Sequence, residues 1–571
     1  MQLKTSFFNK TVLKKDITRF APIWALYTVF LLLMLFEFGD YPPAVTALNL
    51  LEFTAGMAIL NALYAGVCAA FLFMDLFNGR LCNALHAFPL QRKNWLANHI
   101  LSGVLFSLVP NLLATLVALP LLWEYAYIAP IWLAVTTLQF LFFFGSAVLC
   151  AMCAGNLIGM GALYGIFHLG VILIGGVAEL FYQPLLHGVQ LTIDSFTRFI
   201  PLYQMNRRFQ YAAFRVMHQK LDPYGVFSGL IGKDWLYLGL CAAAGVVCVW
   251  LAWLVYRKRN LESAGDLLAV KKLSPLFLLI CTVGAGAVLY LFSGSFGTRS
   301  YVFLVIGTII GYFAGRMLLS RTIKVFTKRA FMGFGIIVAV AAASFLLTWL
   351  DPVGVTRYVP ELDQIESATM GEHFYLEVNG LQTDSFKITD KNELAELQDF
   401  HRQLIQHRPK ASNSYTSIYI HYNLANGQTV KRFYKIARNS DLENRAIKYF
   451  SDIRHIFNVA DPQSLYNAFE IVKIEGTSGT KALNTTLTDQ EQINGLIDAI
   501  QKDCEAGQMA QEFYYRRDYG EESYYLQFPT EDDYVASKVI WVGPNCTNTF
   551  AYLKQIITED WQDTGTIVVV K

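Results

Sequence analysis

Nine apolar stretches, each close to the length that crosses a bilayer, constrain this chain more than any other feature. A transmembrane helix needs about 20 consecutive, mostly apolar residues. The stretches cover residues 18–37, 55–74, 100–122, 130–153, 157–181, 235–256, 274–293, 300–319 and 331–350. Only Ala154 to Asn156 separate the fourth stretch from the fifth. The sequence therefore predicts a polytopic α-helical membrane protein with about nine transmembrane helices.

Composition separates this membrane region from a second region of ordinary composition. The chain is 54% hydrophobic, which is more than a soluble protein of its length requires. Residues up to about 350 carry nearly all of that excess, so residues 352–571 are interpreted as a water-exposed domain. The net charge of +2 favours neither nucleic acid nor an acidic ligand as a partner.

The distribution of Lys and Arg predicts the orientation of the spans. Basic loops stay on the cytosolic side of a membrane. With the N-terminus in the cytosol, the inner segments hold most of the basic residues of the membrane region, and the short outer loops hold only Arg299. Nine spans then place residues 352–571 outside the cell. The outer segment 184–234 is long, basic and rich in aromatic residues; we interpret it as helices in the outer interface, with a hidden tenth span as the alternative.

Two shorter segments are predicted to lie along the inner membrane surface. Residues 1–17 are basic and amphipathic without a cleavage site, which favours a retained interfacial helix. The loop 75–93, between the second and third spans, predicts a short helix that Pro89 ends. Its apolar positions, at i, i+4 and i+7, are Leu81, Leu85 and Phe88, and its other positions include Arg80, Asn83 and His86. Such a helix, joined to two spans, is suited to receive force from a cytosolic protein.

The water-exposed region contains an internal repeat. Residues 388–400 (ITDKNELAELQDF) and 487–499 (LTDQEQINGLIDA) align without gaps, and in each an Asp precedes a helix as its N-cap. A strand is predicted before each helix, at 374–378 and 470–475. After each helix we expect two strands and a closing helix, at 441–457 in the first copy and 547–557 in the second. The region is therefore predicted to be an α+β domain of two similar units, about 370–460 and 465–560, unless the similarity of two capped helices is fortuitous.

No motif in the chain predicts catalysis. The string GTSGTK (476–481) lacks the spacing of a phosphate-binding loop, and no metal-ligand or nucleophile motif is present. Six of the nine cysteines lie in the apolar stretches, where a thiol behaves as a small hydrophobic group. Cys504 and Cys546 lie in the exposed region, and the sequence leaves open whether they pair. We therefore expect neither enzymatic activity nor a cofactor in this chain.

Ionisable residues in or beside membrane spans are candidates for function. Four such residues stand out, namely Asp75, His168, Glu179 and Arg316. Anchoring at the membrane surface is the alternative for the three that lie near span ends. His168 lies nearer the middle of its span, where it would line a substrate path or form a hydrogen bond between helices.

The chain resembles the ABC-2 type of ABC exporter permease. The strings DLFNGRLCNALHAFPLQRKNW and YRKRNLESAGD carry the resemblance, together with the N-terminal helix and the outer segment between the fifth and sixth spans. The resemblance covers about residues 1–270 and implies a six-span core at 18–260. The three further spans (261–351) and the outer domain (352–571) depart from the six-span pattern and are similar to long Gram-positive permeases with an appended domain.

The resemblance implies a role for the helix after the second span. In this family that helix couples the permease to an ATPase, which assigns the role to Arg80, Leu81, Asn83, Leu85, His86, Phe88 and Leu90. It also implies a cytosolic ABC ATPase dimer, a second permease subunit and an amphipathic exported substrate, such as a peptide antibiotic, a lipid or a cell-wall-related molecule. The chain would lie in a bacterial cell membrane.

Two other interpretations remain open. In the first, the chain is a membrane-anchored sensor or scaffold whose outer domain binds a cell-envelope ligand and signals to a cytosolic partner. The duplicated outer domain favours this, whereas the number of spans disfavours it. In the second, the chain is a membrane-embedded enzyme, although it lacks paired intramembrane acids and metal ligands.

Overall fold

The computed structural model describes most of the chain. The residues described are 9–87, 91–183, 185–191, 196–219, 233–293, 298–372, 387–407, 415–437, 440–450, 452–457, 459, 461–478, 481–509, 522–528, 538–557 and 562–563. The chain forms two compact units. The first comprises Met1–Tyr182 and Leu191–Leu346, and the second comprises Gln183–Gln190 and Leu347–Lys571.

The first unit is helical. Its described helices are α1 (Lys10–Arg19), α2 (Ala21–Phe38), α3 (Pro43–Leu72), α4 (Gly79–Ala87), α5 (Arg92–Leu122), α6 (Ile128–Cys153), α7 (Leu157–Tyr182), α8 (Pro201–Gln219), α9 (Lys233–Lys258), α10 (Ser274–Phe292), α11 (Thr298–Ser320) and α12 (Lys328–Leu350). In the described part of the chain, nine of these are long and apolar enough to cross a membrane: α2, α3, α5, α6, α7 and α9 to α12. The chain thus has the build of a multi-pass membrane protein.

The prediction of nine apolar helices is confirmed, and one boundary differs markedly. The second span was expected from residue 55, but α3 begins at Pro43. Proline is well tolerated in the first helical turn, so the helix starts there although Glu52 makes its beginning less apolar. In the predicted interfacial segment, α8 carries several polar residues and is not among the nine apolar helices. Asn206 Nδ2 of α8 donates to the Ala55 carbonyl at 2.9 Å.

Small residues allow two pairs of these helices to pack closely. A Cβ atom on Gly145 of α6 would lie 2.2 Å from the Gly245 carbonyl oxygen of α9. Likewise, a Cβ atom on Gly311 of α11 would lie 2.3 Å from the Cys281 carbonyl oxygen of α10. Glycines at such contacts let helix backbones approach within a membrane, where packing rather than the hydrophobic effect drives association.

The second unit contains two antiparallel sheets. Its strands are β1 (Ile365–Glu372), β2 (Tyr415–Leu424), β3 (Thr429–Ala437), β4 (Val472–Ser478), β5 (Lys481–Leu487), β6 (Ser523–Phe528), β7 (Lys538–Val542) and β8 (Gln562–Asp563). Its helices are α13 (Lys391–Gln406), α14 (Asp441–Phe450), α15 (Ile453–Phe457), α16 (Gln490–Glu505) and α17 (Thr547–Ile556). The strand orders are β1-β2-β3 and β7-β6-β4-β5-β8.

The two sheets share one arrangement around a capped helix. Asp390 accepts from the backbone of Asn392 and Glu393, and Asp489 accepts in the same way from Glu491 and Gln492. The aligned residues are buried in both helices, Leu394 and Leu397 in α13 and Ile493 and Leu496 in α16. In each copy a strand before the helix pairs with the strand after it, as β1 does with β2 and β4 with β6.

The strands before the two helices differ from the prediction. The predicted strand 374–378 lies outside the described residues. In the second copy a hairpin of β4 and β5 precedes the helix, whereas a single strand was expected. The strand β5 was missed because its sequence, KALNTTL, is mostly polar, although Leu483 and Leu487 are buried. The turn between β2 and β3 lies at Asn426-Gly427, where Gly427 takes a φ of +78°.

The short segment Gln183–Gln190, directly after α7, is part of the second unit. The backbone N–H of Phe433 in β3 donates to the Gly188 carbonyl at 3.1 Å, and His187 Nε2 lies 3.0 Å from the Leu404 carbonyl oxygen. Gly188 has a φ of +79°, and a Cβ atom there would lie 2.4 Å from the Tyr434 hydroxyl. Only glycine satisfies both conditions without strain.

Candidate functional site

The helix α4 lies between the second and third apolar helices and has an exposed surface. Asn78 caps its start, accepting from the backbone N–H of Arg80 at 3.0 Å. Arg80 and Asn83 are exposed, Leu81 is 43% exposed, and Cys82 is buried. The side chains of Leu85 and His86, and all of Phe88 and Leu90, lie outside the described residues. Three of the predicted coupling residues, Arg80, Leu81 and Asn83, are therefore accessible on the surface of α4.

Arg259 ties the chain in front of α4 to the end of the fourth apolar helix. The Arg259 side chain is only 7% exposed. Its Nη1 donates to the Ala151 and Met152 carbonyls of α6, each at 3.1 Å, and its Nη2 donates to the Leu76 carbonyl at 3.0 Å. Burial lowers the pKa of the Arg259 guanidinium, because desolvation disfavours the charged form. The last carbonyls of a helix lack intrahelical partners, and Arg259 supplies partners for two of them.

Arg92 makes the equivalent contact on the other side of α4. It is the first residue of α5, and its Nη1 donates to the carbonyls of Tyr256 at 3.0 Å and Arg259 at 3.2 Å. Its guanidinium also lies over the Tyr256 ring, 5.6 Å from the centroid. Arg92 therefore caps α9, the sixth apolar helix. We call Arg92 and Arg259 the arginine clamps; together they connect the chain on both sides of α4 to the ends of α6 and α9.

The segment after α9 completes this arrangement. The Cys153 carbonyl, at the end of α6, accepts from the backbone N–H of Ala269 at 2.8 Å. Gly265 donates its N–H to the Gly155 carbonyl at 2.6 Å. Asp266, the last residue of YRKRNLESAGD, pairs with Arg321 at 3.3 Å. This string therefore joins the ends of α6, α9 and α11 on one side of the unit, which we call the basic face.

The helix α1 is anchored to the basic face by a buried carboxylate. Asp16 is 4% exposed; its Oδ2 lies 2.6 Å from His99 Nδ1 and accepts from the Ser102 hydroxyl at 2.8 Å. Arg19, at the end of α1, forms a 3.5 Å ion pair with Asp75. Asp75, one of the predicted site residues, therefore lies in the turn that leads into α4 and contacts the N-terminal helix.

The other predicted intramembrane residues do not converge on one site. His168 Nε2 of α7 lies 3.0 Å from the Ser146 hydroxyl of α6, so this histidine makes a hydrogen bond between helices. Arg316 of α11 donates to the Tyr312 hydroxyl at 3.3 Å. Glu179 is half-buried near the end of α7. His168 and Glu179 lie on α7 and Arg316 lies on α11, and His168 and Arg316 have different hydrogen-bond partners.

A buried polar cluster in the middle of the bundle escaped the sequence analysis. Tyr27 of α2 donates to Asn111 Oδ1 of α5 at 3.2 Å. Asn61 Nδ2 of α3 donates to Gln139 Oε1 of α6 at 3.0 Å. All four residues are buried, so this cluster links four apolar helices through uncharged groups. Its members are uncharged, so the pattern of charged residues does not indicate it; the signal in the sequence is the set of amides in the middle of apolar stretches.

Comparison with known proteins gives no match to a family model, to a curated protein or to a solved structure.

Proposed function

We propose that this chain is the permease subunit of an ATP-binding cassette transporter of the ABC-2 exporter type. A separate cytosolic ATPase dimer hydrolyses ATP, and a second permease subunit, identical or homologous, completes the transporter. The exported substrate is amphipathic, such as a peptide antibiotic, a lipid or a cell-wall-related molecule. The uncharged polar cluster of Tyr27, Asn61, Asn111 and Gln139, rather than an ionic pathway, supports that class of substrate.

The observation that carries the proposal is the position of α4 between the arginine clamps. An exposed helix can transmit the movement of a bound protein to the membrane helices only if its ends are rigidly joined to those helices. Arg259 joins Leu76, before α4, to the end of α6, and Arg92, after α4, holds the end of α9. Hydrogen bonds from a charged donor are each worth about 1.5–3 kcal/mol. A displacement of α4 is therefore transmitted to the fourth and sixth apolar helices as well as to the two that flank it.

In this mechanism the nucleotide acts through the ATPase. Closure of the ATPase dimer on ATP shifts the groove that holds α4, and the arginine clamps move the attached helix ends together. The bundle changes from an inward-open to an outward-open state because the closed ATPase binds one state better than the other. The close crossing of α6 and α9 at Gly145 and Gly245 suits movement of those two helices as a pair.

The proposed topology places the basic face in the cytosol. Arg80, Arg92 and Arg259 lie there, and Lys and Arg concentrate on the cytosolic side of membrane proteins. The N-terminus is then cytosolic, and the second unit lies outside a bacterial cell membrane. Tyr182 at the end of α7 bonds to Ser344 near the end of α12 at 2.6 Å, so the two helix ends from which the chain enters the second unit share one side.

The test is a mild-detergent pull-down of the tagged chain from its native membrane, with an assay of ATP hydrolysis. We expect an ABC ATPase to co-purify with the wild type and to be lost in the variants Arg80→Glu and Leu81→Glu, which place a carboxylate on the exposed surface of α4. The matched control is Lys272→Glu, a charge reversal elsewhere on the basic face. Equal recovery of the ATPase from the α4 variants and the control would refute the coupling role.

One observation favours the second candidate, a sensor. The segment Gln183–Gln190 leaves the fifth apolar helix, and its Gly188 pairs with Phe433 in β3. A ligand that shifts β3 would therefore pull on the chain that leaves α7. In a sensor, the pull-down would recover a signalling protein in place of an ATPase.

A further inference from the structure

Arg316 has no acidic counterpart on the last three helices of the first unit. No Asp or Glu occurs in α10, α11 or α12. Arg316 nevertheless lies within the apolar span Tyr301–Ser320. A charged group near the end of a span normally pairs with an opposite charge or reaches the interface. The three helices therefore lack an internal counter-ion for Arg316.

The position of Arg316 is fixed by Tyr312. Arg316 Nη1 donates to the Tyr312 hydroxyl at 3.3 Å, and this hydroxyl donates to the Ala330 carbonyl of α12 at 2.9 Å. Tyr312 is buried. A Cβ atom on Gly333 of α12 would lie 2.6 Å from the Tyr312 hydroxyl, so the glycine makes room for it. Within the described part of the chain Arg316 forms no ion pair, and most of its five N–H donors remain for a ligand.

Arg316 lines a cavity of about 570 Å³ between α10, α11 and α12. The polar end of this cavity holds Arg316 with Ser274, at the start of α10, and Ser320, at the end of α11. Its walls are apolar and include Leu278, Leu279 and Ile337. The polar end lies towards the basic face, because α11 ends there beside the Arg321–Asp266 ion pair. The cavity thus combines one cation, two hydroxyls and an apolar wall, as an amphiphile with an anionic head requires.

We propose that this cavity binds an anionic phospholipid from the leaflet at the basic face, with the headgroup phosphate on Arg316 and an acyl chain along Leu278, Leu279 and Ile337. A guanidinium matches the oxygen geometry of a phosphate, and basic pockets between membrane helices at the cytosolic side suit anionic headgroups. Leu279 is 43% exposed, which opens the apolar wall to the surrounding lipid. Exposed Lys272 and Lys328 lie at the near ends of α10 and α12 and add positive potential.

The experiment is a lipid titration of the full-length chain in neutral detergent, read by native mass spectrometry. The probes are phosphatidylglycerol, zwitterionic phosphatidylcholine and inorganic phosphate. We expect phosphatidylglycerol to bind more tightly than phosphatidylcholine, and Arg316→Gln to weaken phosphatidylglycerol binding by about tenfold or more, since a charge-assisted bond is lost. Lys324→Gln, which removes the same charge from an exposed residue outside the cavity, is expected to leave binding unchanged.

Four results would overturn the proposal. In the first, Arg316→Gln and the wild type bind phosphatidylglycerol equally; in the second, Lys324→Gln weakens its binding as much as Arg316→Gln does. In the third, the wild type binds phosphatidylglycerol and phosphatidylcholine equally; in the fourth, inorganic phosphate alone displaces the bound lipid. If Arg316→Gln does not fold, Arg316→Lys decides: weaker binding than the wild type supports the site, and equal binding overturns it. The titration needs no ATPase, so its outcome is independent of the proposed transport function.

Discussion

Under the proposed function, Arg259→Gln is expected to leave the chain able to bind the partner ATPase but unable to respond to it. The guanidinium of Arg259 reaches three backbone carbonyls, two at the end of α6 and one at Leu76. The glutamine side chain is shorter and carries one amide nitrogen, so it satisfies at most two of the three. The exposed surface of α4 does not include Arg259, which is 7% exposed. The substitution therefore alters the connection between α6 and the chain before α4, while the exposed surface of α4 that is proposed to dock the ATPase stays intact.

The magnitude follows from the bonds that are lost. A buried carbonyl left without a partner costs about 1–3 kcal/mol. With one or two carbonyls left without a partner and some entry of water, Arg259→Gln is expected to lower the free energy of unfolding by about 1–4 kcal/mol. Lys258→Gln is the matched control, because Lys258 is the neighbouring exposed cation and its loss changes the net charge equally. The control is expected to change stability by less than about 0.5 kcal/mol.

The assay uses the reconstituted complex in lipid vesicles. Co-purification of the ATPase measures docking, and the ratio of ATP hydrolysis with and without transported substrate measures coupling. For Arg259→Gln we expect normal docking and a loss of at least about fivefold in substrate-stimulated hydrolysis, the lower end of typical coupling between linked sites. Reversible unfolding in mixed detergent micelles measures the stability change. Full stimulation in Arg259→Gln, with stability equal to that of Lys258→Gln, would refute the transmission of force through this arginine.

Two further predictions concern the bundle and the second unit. Gly145→Leu is expected to separate α6 from α9 and lower the melting temperature, because a Cβ atom there would lie 2.2 Å from the Gly245 carbonyl oxygen. The control Gly161→Leu, at a position with open space around it, should leave the melting temperature unchanged. Equal melting temperatures of the two variants would contradict the close packing of α6 and α9. Burial lowers the pKa of His401 from 6.5 to about 3, so the unfolded state binds a proton at a higher pH than the folded state does. The stability of the second unit should therefore fall as the pH drops from about 6.5 towards 3, by up to about 1.4 kcal/mol per pH unit. Hydrogen exchange of β2 and β3 measures this, and a His401→Gln variant with the same pH dependence would contradict it.

The apolar helices could be predicted from the sequence because composition alone decides them. A run of about 20 apolar residues has few alternatives in a bilayer, where backbone polar groups must be satisfied within the segment. The boundaries were less certain. Residues 43–54 include Asn49 and Glu52, which weaken the apolar signal, yet the helix α3 continues through them from Pro43. The preference of proline for the first turn of a helix is the local signal for this start, and the predicted boundary at residue 55 did not include it.

The arginine clamps could not be predicted because they join distant parts of the chain. Arg259 and Leu76 are separated by 183 positions, and Arg92 and Tyr256 by 164. Periodicity reports on neighbours within one helix and carries no information about such pairs. The two strings on which the resemblance to ABC-2 permeases rests nevertheless contain Leu76, Arg92 and Arg259. Their function in coupling stays a prediction, as does that of the α4 residues.

In the second unit too, a local feature could be predicted from the sequence whereas a long-range contact could not. The capped helices were predicted, because Asp390 and Asp489 carry a local signal that reads directly from the sequence. The burial of His401 between two tyrosine hydroxyls, at 3.1 Å from Tyr422 and 2.8 Å from Tyr434, depends on the packing of a helix on a sheet. A histidine in an amphipathic helix gives no indication of such partners until that packing is known.

The most direct measurement of the central claim is photo-crosslinking from α4 in the native membrane. A photoreactive amino acid at Asn83, which is exposed on α4, reports what touches the helix, and one at Lys272 is the control on the same face. The proposed function predicts that the Asn83 position crosslinks to an ABC ATPase subunit, in a nucleotide-dependent manner, while the Lys272 position does not. Crosslinks from Asn83 to lipid alone, or to a signalling protein without ATPase activity, would contradict it.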